Sequence, residues 1–168
     1  MIMKKLIVEQ LEYRRDPKKN RSDEHAVIIL KPEYRREYIS EVIDFLVKND
    51  LQNVYQKVIT FSKEAIIAVY YDIFKFTDKD LIYGVNWKKR KLDYMSSGKS
   101  IVFIIKGKNS QQLSKKFKYE LRAKYKKLSI PSKKLTNKQF DELAIKNIIH
   151  VVDDSDTEVA IQLLINYL

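Results

Sequence analysis

The chain has 168 residues, of which 45% are hydrophobic and 11% aromatic, a composition that suits one folded domain and excludes a disordered polymer. No run of about eighteen apolar residues occurs, and the apolar stretch behind Lys4 and Lys5 is too short for a signal peptide, so no membrane span is expected. Lysine and arginine number 33 against 22 acids, a net charge of +11 that favours anionic partners; the absence of cysteine excludes disulfides and thiolate chemistry and fits a cytoplasmic protein.

Residues 1–25 read as an N-terminal extension, with a strand or short helix over 2–11 and a polar loop over 14–23. The apolar run 26–30 reads as a buried strand that Pro32 ends. A helix over about 36–49 follows, with Ile39, Val42, Ile43, Leu46 and Val47 at helical spacing. Residues 51–61 alternate in part and predict a second strand. Ser62 caps a helix over 63–72, and Asp78 starts another over about 79–88. Residues 94–98 read as a turn before a third strand over 100–105. Gly107, Lys108 and Asn109 turn the chain into a basic helix over 111–127, which Pro131 breaks. Thr136 and Gln139 make a capping box. A fourth strand over 147–152 and a second capping box, Ser155 with Glu158, lead into a C-terminal helix.

The order is β-α-β, helices, β-α-β and a last helix. It predicts an α+β domain over 26–168, of the ferredoxin-like split βαβ type, with a four-stranded antiparallel sheet covered by helices.

The chemistry gathers at Asn147-Ile148-Ile149-His150, where a histidine leaves a short strand just before a helix start. Neutral imidazole is nucleophilic near pH 7, so such a residue suits phosphoryl relay. A lone histidine at a strand end is more often an ordinary polar residue, and the same holds for Lys31 before Pro32 and for Tyr70 on its helix. The motifs taken together resemble the nucleoside diphosphate kinases: Leu30-Lys31-Pro32-Glu33, Tyr70-Tyr71-Asp72, Tyr94-Met95-Ser96-Ser97-Gly98 and Asn147-Ile148-Ile149-His150 followed by Asp154-Ser155 stand in that family's order from Ala26 onward.

The resemblance implies a γ-phosphoryl transfer from a nucleoside triphosphate to a diphosphate, with Mg²⁺ accompanying the nucleotide and no metal ligands in the protein. His150 would be the phosphorylated nucleophile. Lys31 and Asn147 would contact the sugar and phosphate end, Tyr70 would sit beside the histidine, and Phe76 would stack on the base. Nucleoside di- and triphosphates are the implied partners, and a homo-oligomer the implied assembly. The departures from the family pattern lie around the phosphates: Val151 replaces a glycine, Asp153 a serine, and Gln162 the glutamate that orients the histidine. Lys115 or Lys116 stands at the first clamp arginine, Leu121 at the threonine, and Asn137, with Lys133 and Lys134 nearby, at the second arginine. Lysine is a point charge where arginine is a fork, so weaker transition-state stabilisation is expected.

Two other readings stand beside this one. A nucleotide-binding module of the same fold with little turnover would explain the altered clamp. A nucleic-acid binder would use the basic stretch 115–127 with Phe117, Tyr119 and Tyr125; it is the less favoured.

Overall fold

A computed structural model describes residues 25–70, Phe74, 81–82, 85–126 and 136–166. The expectations for 1–24, Asp78, Phe76, Pro131, Lys133 and Lys134 lie outside the described residues. In chain order the elements are β1 (His25–Leu30), α1 (Arg36–Lys48), β2 (Gln52–Ile59), α2 (Lys63–Val69), β3 (Leu81–Ile82), β4 (Val85–Asn86), α3 (Trp87–Ser96), β5 (Ser100–Lys106), α4 (Ser110–Tyr125), α5 (Asn137–Phe140) with a π-helical turn (Asp141–Ile145), β6 (Ile149–Val151) and α6 (Asp154–Asn166).

The main sheet has the order β2-β5-β1-β6, antiparallel throughout. This is the split βαβ arrangement: β5 lies between β1 and β2, and β1 lies between β5 and β6. The central strands β1 and β5 read as unbroken apolar runs because both faces of the sheet are covered. Ile28, Leu30, Phe103, Ile105, Ile149 and Val151 pack against Val42, Phe45 and Leu46 of α1 and Phe117 and Leu121 of α4. Val27, Ile29, Val102, Ile104 and Val152 pack against Ala65, Ile66 and Val69 of α2, Met95 of α3 and Leu163 and Leu164 of α6. Among the described residues no helix is long and apolar enough to cross a membrane.

Several boundaries differ from the sequence reading. β1 begins at His25, which pairs with Lys106 at the end of the ladder. In α1 the buried stripe is Tyr38, Val42, Phe45 and Leu46, while Ile43 is half exposed and Val47 is 78% exposed. The helix is turned toward its aromatic residues, because Phe45 stacks on Phe117 at 4.3 Å and Tyr38 meets Tyr125 edge-on at 4.9 Å. The helix expected over 79–88 is instead α3, whose Asn86 side chain accepts from Lys89 N–H at 3.1 Å. Tyr94, Met95 and Ser96 therefore end a helix, where a turn was expected. The Tyr94 hydroxyl donates to the Pro32 carbonyl at 2.6 Å, fixing that end beside the turn after β1. At the last helix the start falls at Asp154, one residue before Ser155. The Asp153 carbonyl accepts from Asp156 N–H and from the Thr157 hydroxyl. Two expected caps are present: Ser62 accepts from Ala65 N–H at 3.1 Å, and Thr136 and Gln139 bond reciprocally.

Gly107 turns β5 into the approach to α4 at φ 153°, and a Cβ there would stand 2.5 Å from Leu51 Cδ2. Gly107→Ala is expected to lower stability by about 1–3 kcal/mol, through backbone strain and overpacking together. A urea titration of the two proteins measures it.

Candidate active site

His150 comes from the edge strand β6, where it is paired with Ile29 of β1. Alternation along the strand puts its side chain on the face that Ile29 shares with α2, α3 and α6. The turn that aims the strand is strained. Ile148, a β-branched residue, has φ 68°, and Ile149 N–H donates across it to the Asn147 carbonyl at 2.8 Å. Such a conformation persists only where its surroundings fix it.

Three side chains do so. The Lys31 ammonium donates to the Ile145 carbonyl at 2.9 Å and to Asn147 Oδ1. Asn147 Nδ2 donates to the Ala144 carbonyl at 3.1 Å. Arg122 Nε donates to the Asn147 carbonyl at 3.2 Å, and its Nη2 donates to Asn147 Oδ1 at 3.2 Å and to the Ile149 carbonyl at 2.6 Å. At the other end of the strand Gln111 Nε2 donates to the Val152 carbonyl at 2.5 Å. Helix α4 thus covers the open edge of β6, which would otherwise present unpaired backbone groups. Gln111, Ser114, Lys118 and Arg122 lie on one stripe of that helix at i, i+3, i+7 and i+11. Ser114 and Lys118 fall between the two ends that meet β6.

Around the imidazole the site is buried and basic. His150 is 6% exposed, and its ring stacks on Tyr70 at 3.9 Å between centroids, 24° from parallel. The Tyr70 hydroxyl donates to the Met95 sulfur at 3.9 Å. The Lys91 ammonium lies 3.9 Å from the centre of the same phenol ring. Burial, followed by the positive charge of Lys91, Lys31, Lys118 and Arg122, holds His150 well below the usual imidazole range. Burial does the same to Lys31, with Lys91, Arg122 and Lys118 adding to it. Burial pushes the Tyr70 phenol far up, so it stays protonated. Asp153 is the acid that opposes the shifts of Lys91 and Lys118. The result is an imidazole held toward its neutral form among basic groups whose own values burial lowers, an arrangement suited to a multiply charged anion.

The structure places Lys31 against Asn147 and Tyr70 against His150. Lys31 and Asn147 already spend hydrogen-bonding capacity on the strand entry. Lys115 is half-buried, and its charge lowers Lys118. Lys116 does not join the site: it is 76% exposed, pairs with Glu120 at 3.8 Å, and lines a groove between α1 and α4. The helical phase that puts 118 and 122 along β6 turns 116 outward. Gln162 is also exposed, and its amide donates to Glu158 at 3.3 Å, so it does not hold the buried imidazole. Phe76 lies outside the described residues. Arg122 and Lys118 entered the sequence reading only within the basic stretch 115–127, and Lys91 did not enter it, although both lysines carry a sequence signal. Lys91 stands at i+4 between Trp87 and Met95, and Lys118 stands at helical spacing from Gln111 and Ser114.

Arg122→Ala leaves the Asn147 and Ile149 carbonyls without their donor and is expected to cost about 2–3 kcal/mol. Arg122→Lys should recover only part of that, because a point donor cannot fork across two carbonyls. Denaturant midpoints of the three proteins measure both effects.

No protein-family model and no curated protein matches the sequence. Solved structures do match. A nucleoside diphosphate kinase from Encephalitozoon cuniculi superposes with a TM-score of 0.61 at 20% identity, over 84% of this chain and 88% of that one. One from Pyrobaculum aerophilum gives 0.59 at 19% identity, over 83% and 93%. One from Borrelia burgdorferi, a transition-state mimic with bound vanadate and ADP, gives 0.59 at 20% identity, over 83% and 84%. The chain carries the nucleoside diphosphate kinase fold.

Proposed function

We propose that the chain is a histidine phosphotransferase of the nucleoside diphosphate kinase type. The observation that supports this reading most is the neutral, buried His150 among Lys31, Lys91, Lys118 and Arg122. An imidazole nitrogen attacks the γ-phosphorus of a nucleoside triphosphate, the bond from that phosphorus to the bridging oxygen breaks, and the nucleoside diphosphate leaves. An acceptor diphosphate then takes the phosphoryl group and restores the neutral ring. The cations offset the charge on the transferring oxygens, and Tyr70 holds the ring plane by stacking. Arg122, Lys31 and Asn147 act one step back, by fixing the turn from which His150 departs. Lys115 lends charge from the rim, and Phe76 is the base-stacking candidate.

Among the described residues no cluster of three carboxylate or histidine side chains could hold a metal. In this reading Mg²⁺ would arrive as the complex of the nucleotide phosphates. A homo-oligomer in the cytoplasm, with 26–168 as the phosphotransfer domain, completes the proposal.

Incubation with γ-labelled ATP, Mg²⁺ and excess GDP tests it. Labelled GTP, and acid-labile label on the protein when GDP is omitted, are the expected results. Neither product from any common triphosphate would remove the enzyme reading. The nucleotide-binding module would then take its place, favoured by the outward position of Gln162.

A further inference from the structure

Helix α3 carries a lysine where a core residue belongs. Trp87, Lys91 and Met95 are its buried residues, at i, i+4 and i+8, so Lys91 follows the apolar stripe inward. It is 7% exposed. Its ammonium lies 3.9 Å from the Tyr70 ring centre, and the imidazole of His150 stacks on that same ring. The groups that face it are Tyr70 from the end of α2, His150 from β6, Arg122 and Lys118 from α4, and Asp153 after β6. The other charges of α3 are engaged elsewhere, Lys88 over the Trp87 ring, Lys89 with Asp93, which also pairs with Lys63 of α2, and Arg90 with Asp141 of the π-helical turn. Burial, then Arg122, draw Lys91 down to about 7, while Asp153 opposes them. A packing role at this position calls for leucine or methionine. A buried ammonium beside two further cations is a standing cost, which an arriving polyanion converts into attraction.

We propose that Lys91 is a phosphate-contacting residue, placed to bind the polyphosphate of a nucleotide beside His150. The nucleotide part rests on the phosphotransfer reading above; the anion part stands on the Lys91, Tyr70 and His150 geometry. An anion favours the charged ammonium, so binding at about pH 8 takes up a proton, at a group mostly neutral before the anion arrives.

Full-length wild type, Lys91→Met, Lys91→Arg and His150→Gln are titrated calorimetrically with ADP and, separately, with inorganic pyrophosphate. Each titration is run at about pH 8 in two buffers of different ionisation enthalpy. Melting temperatures are taken without anion. Wild type and His150→Gln are expected to take up nearly one proton per ADP bound, while pyrophosphate, which brings a proton of its own at about pH 8, reports affinity. Lys91→Met should lose that uptake, bind both anions about tenfold more weakly or worse, and melt several degrees higher. Lys91→Arg should keep the affinity without the uptake. Unchanged affinity and uptake in Lys91→Met would overturn the proposal, and so would a lower melting temperature or failure to fold, since either marks a structural lysine. Lys91-dependent pyrophosphate binding without ADP binding would sink the nucleotide reading and leave the anion site standing. Wild type binding neither anion would overturn the Lys91 site itself, whatever the label transfer shows.

Discussion

His150→Gln is expected to abolish acid-labile labelling by γ-labelled ATP, a loss of about a thousandfold or more, because the glutamine amide is not a nucleophile and the proposed phosphoryl acceptor is gone. The protein should stay folded, since glutamine keeps much of the volume beside Tyr70 and no charge is removed at neutral pH. The pH dependence separates this site from an ordinary histidine. A free imidazole is about three-quarters protonated at pH 6. In this chain burial, followed by the charge of Lys91, Lys31, Lys118 and Arg122, holds the ring well below the usual imidazole range, so in a Lys91→Arg background, free of the lysine that also titrates there, labelling should stay flat from about pH 8 to pH 6. Stability carries the same signature with a definite sign. The folded-state value is depressed, so the unfolded chain binds a proton below about pH 6.5 while the native chain does not. Stability is therefore full above that pH and falls as the pH drops toward the folded-state value. The carboxylates whose values are lowered, Asp93, Glu41, Glu64 and Glu142, act at more acid pH. Between about pH 6.5 and 5 His150 adds its slope to that of Lys31 and Lys91, whose values are also depressed, and His150→Gln should reduce it. A melting series across that range decides the matter, and equal slopes in both proteins would count against a buried neutral imidazole.

The largest effect on stability is expected from Lys31→Ala. The side chain is buried to 1% exposure at the end of β1, and its ammonium ties Ile145 and Asn147 to the strand on which His150 stands. Alanine removes the donor and leaves a cavity between β1 and the π-helical turn, for about 3–5 kcal/mol. That is a large share of the whole stability of a domain this size. Lys31→Met fills the space but still strands an acceptor, so about 1–3 kcal/mol is expected. Both variants should also lose transfer activity by more than the unfolded fraction accounts for, because Ile148 would relax from its left-handed conformation and swing His150 off Tyr70. Chemical denaturation paired with single-turnover labelling of the folded fraction measures both terms. A Lys31→Met protein with full activity per folded molecule would show that the lysine serves stability alone.

The features set by local physics were legible in the chain. The apolar runs of β1 and β5 were visible because a strand buried on both faces needs no alternation. Ser62 and the Thr136–Gln139 pair were visible because caps join residues three apart. Lys31, Tyr70, Asn147 and His150 emerged only as a set, since each alone is an ordinary residue. The C-terminal helix starts at Asp154, ahead of the expected cap at Ser155, and the Asp153 carbonyl accepts from the Asp156 N–H and the Thr157 hydroxyl in its first turn. Tertiary structure decided the identity of the cations. Each residue turns a helix by about 100°, so which of the lysines from 115 to 118 meets β6 depends on how α4 docks on the open edge of that strand. Docking set Lys116 in solvent and Lys118 beside His150. Lys91 is 59 residues before His150 in sequence; only the packing of α3 against the sheet brings its ammonium to the ring that the imidazole also touches. Burial, which no local pattern measures, then lowers the values of both His150 and Lys91.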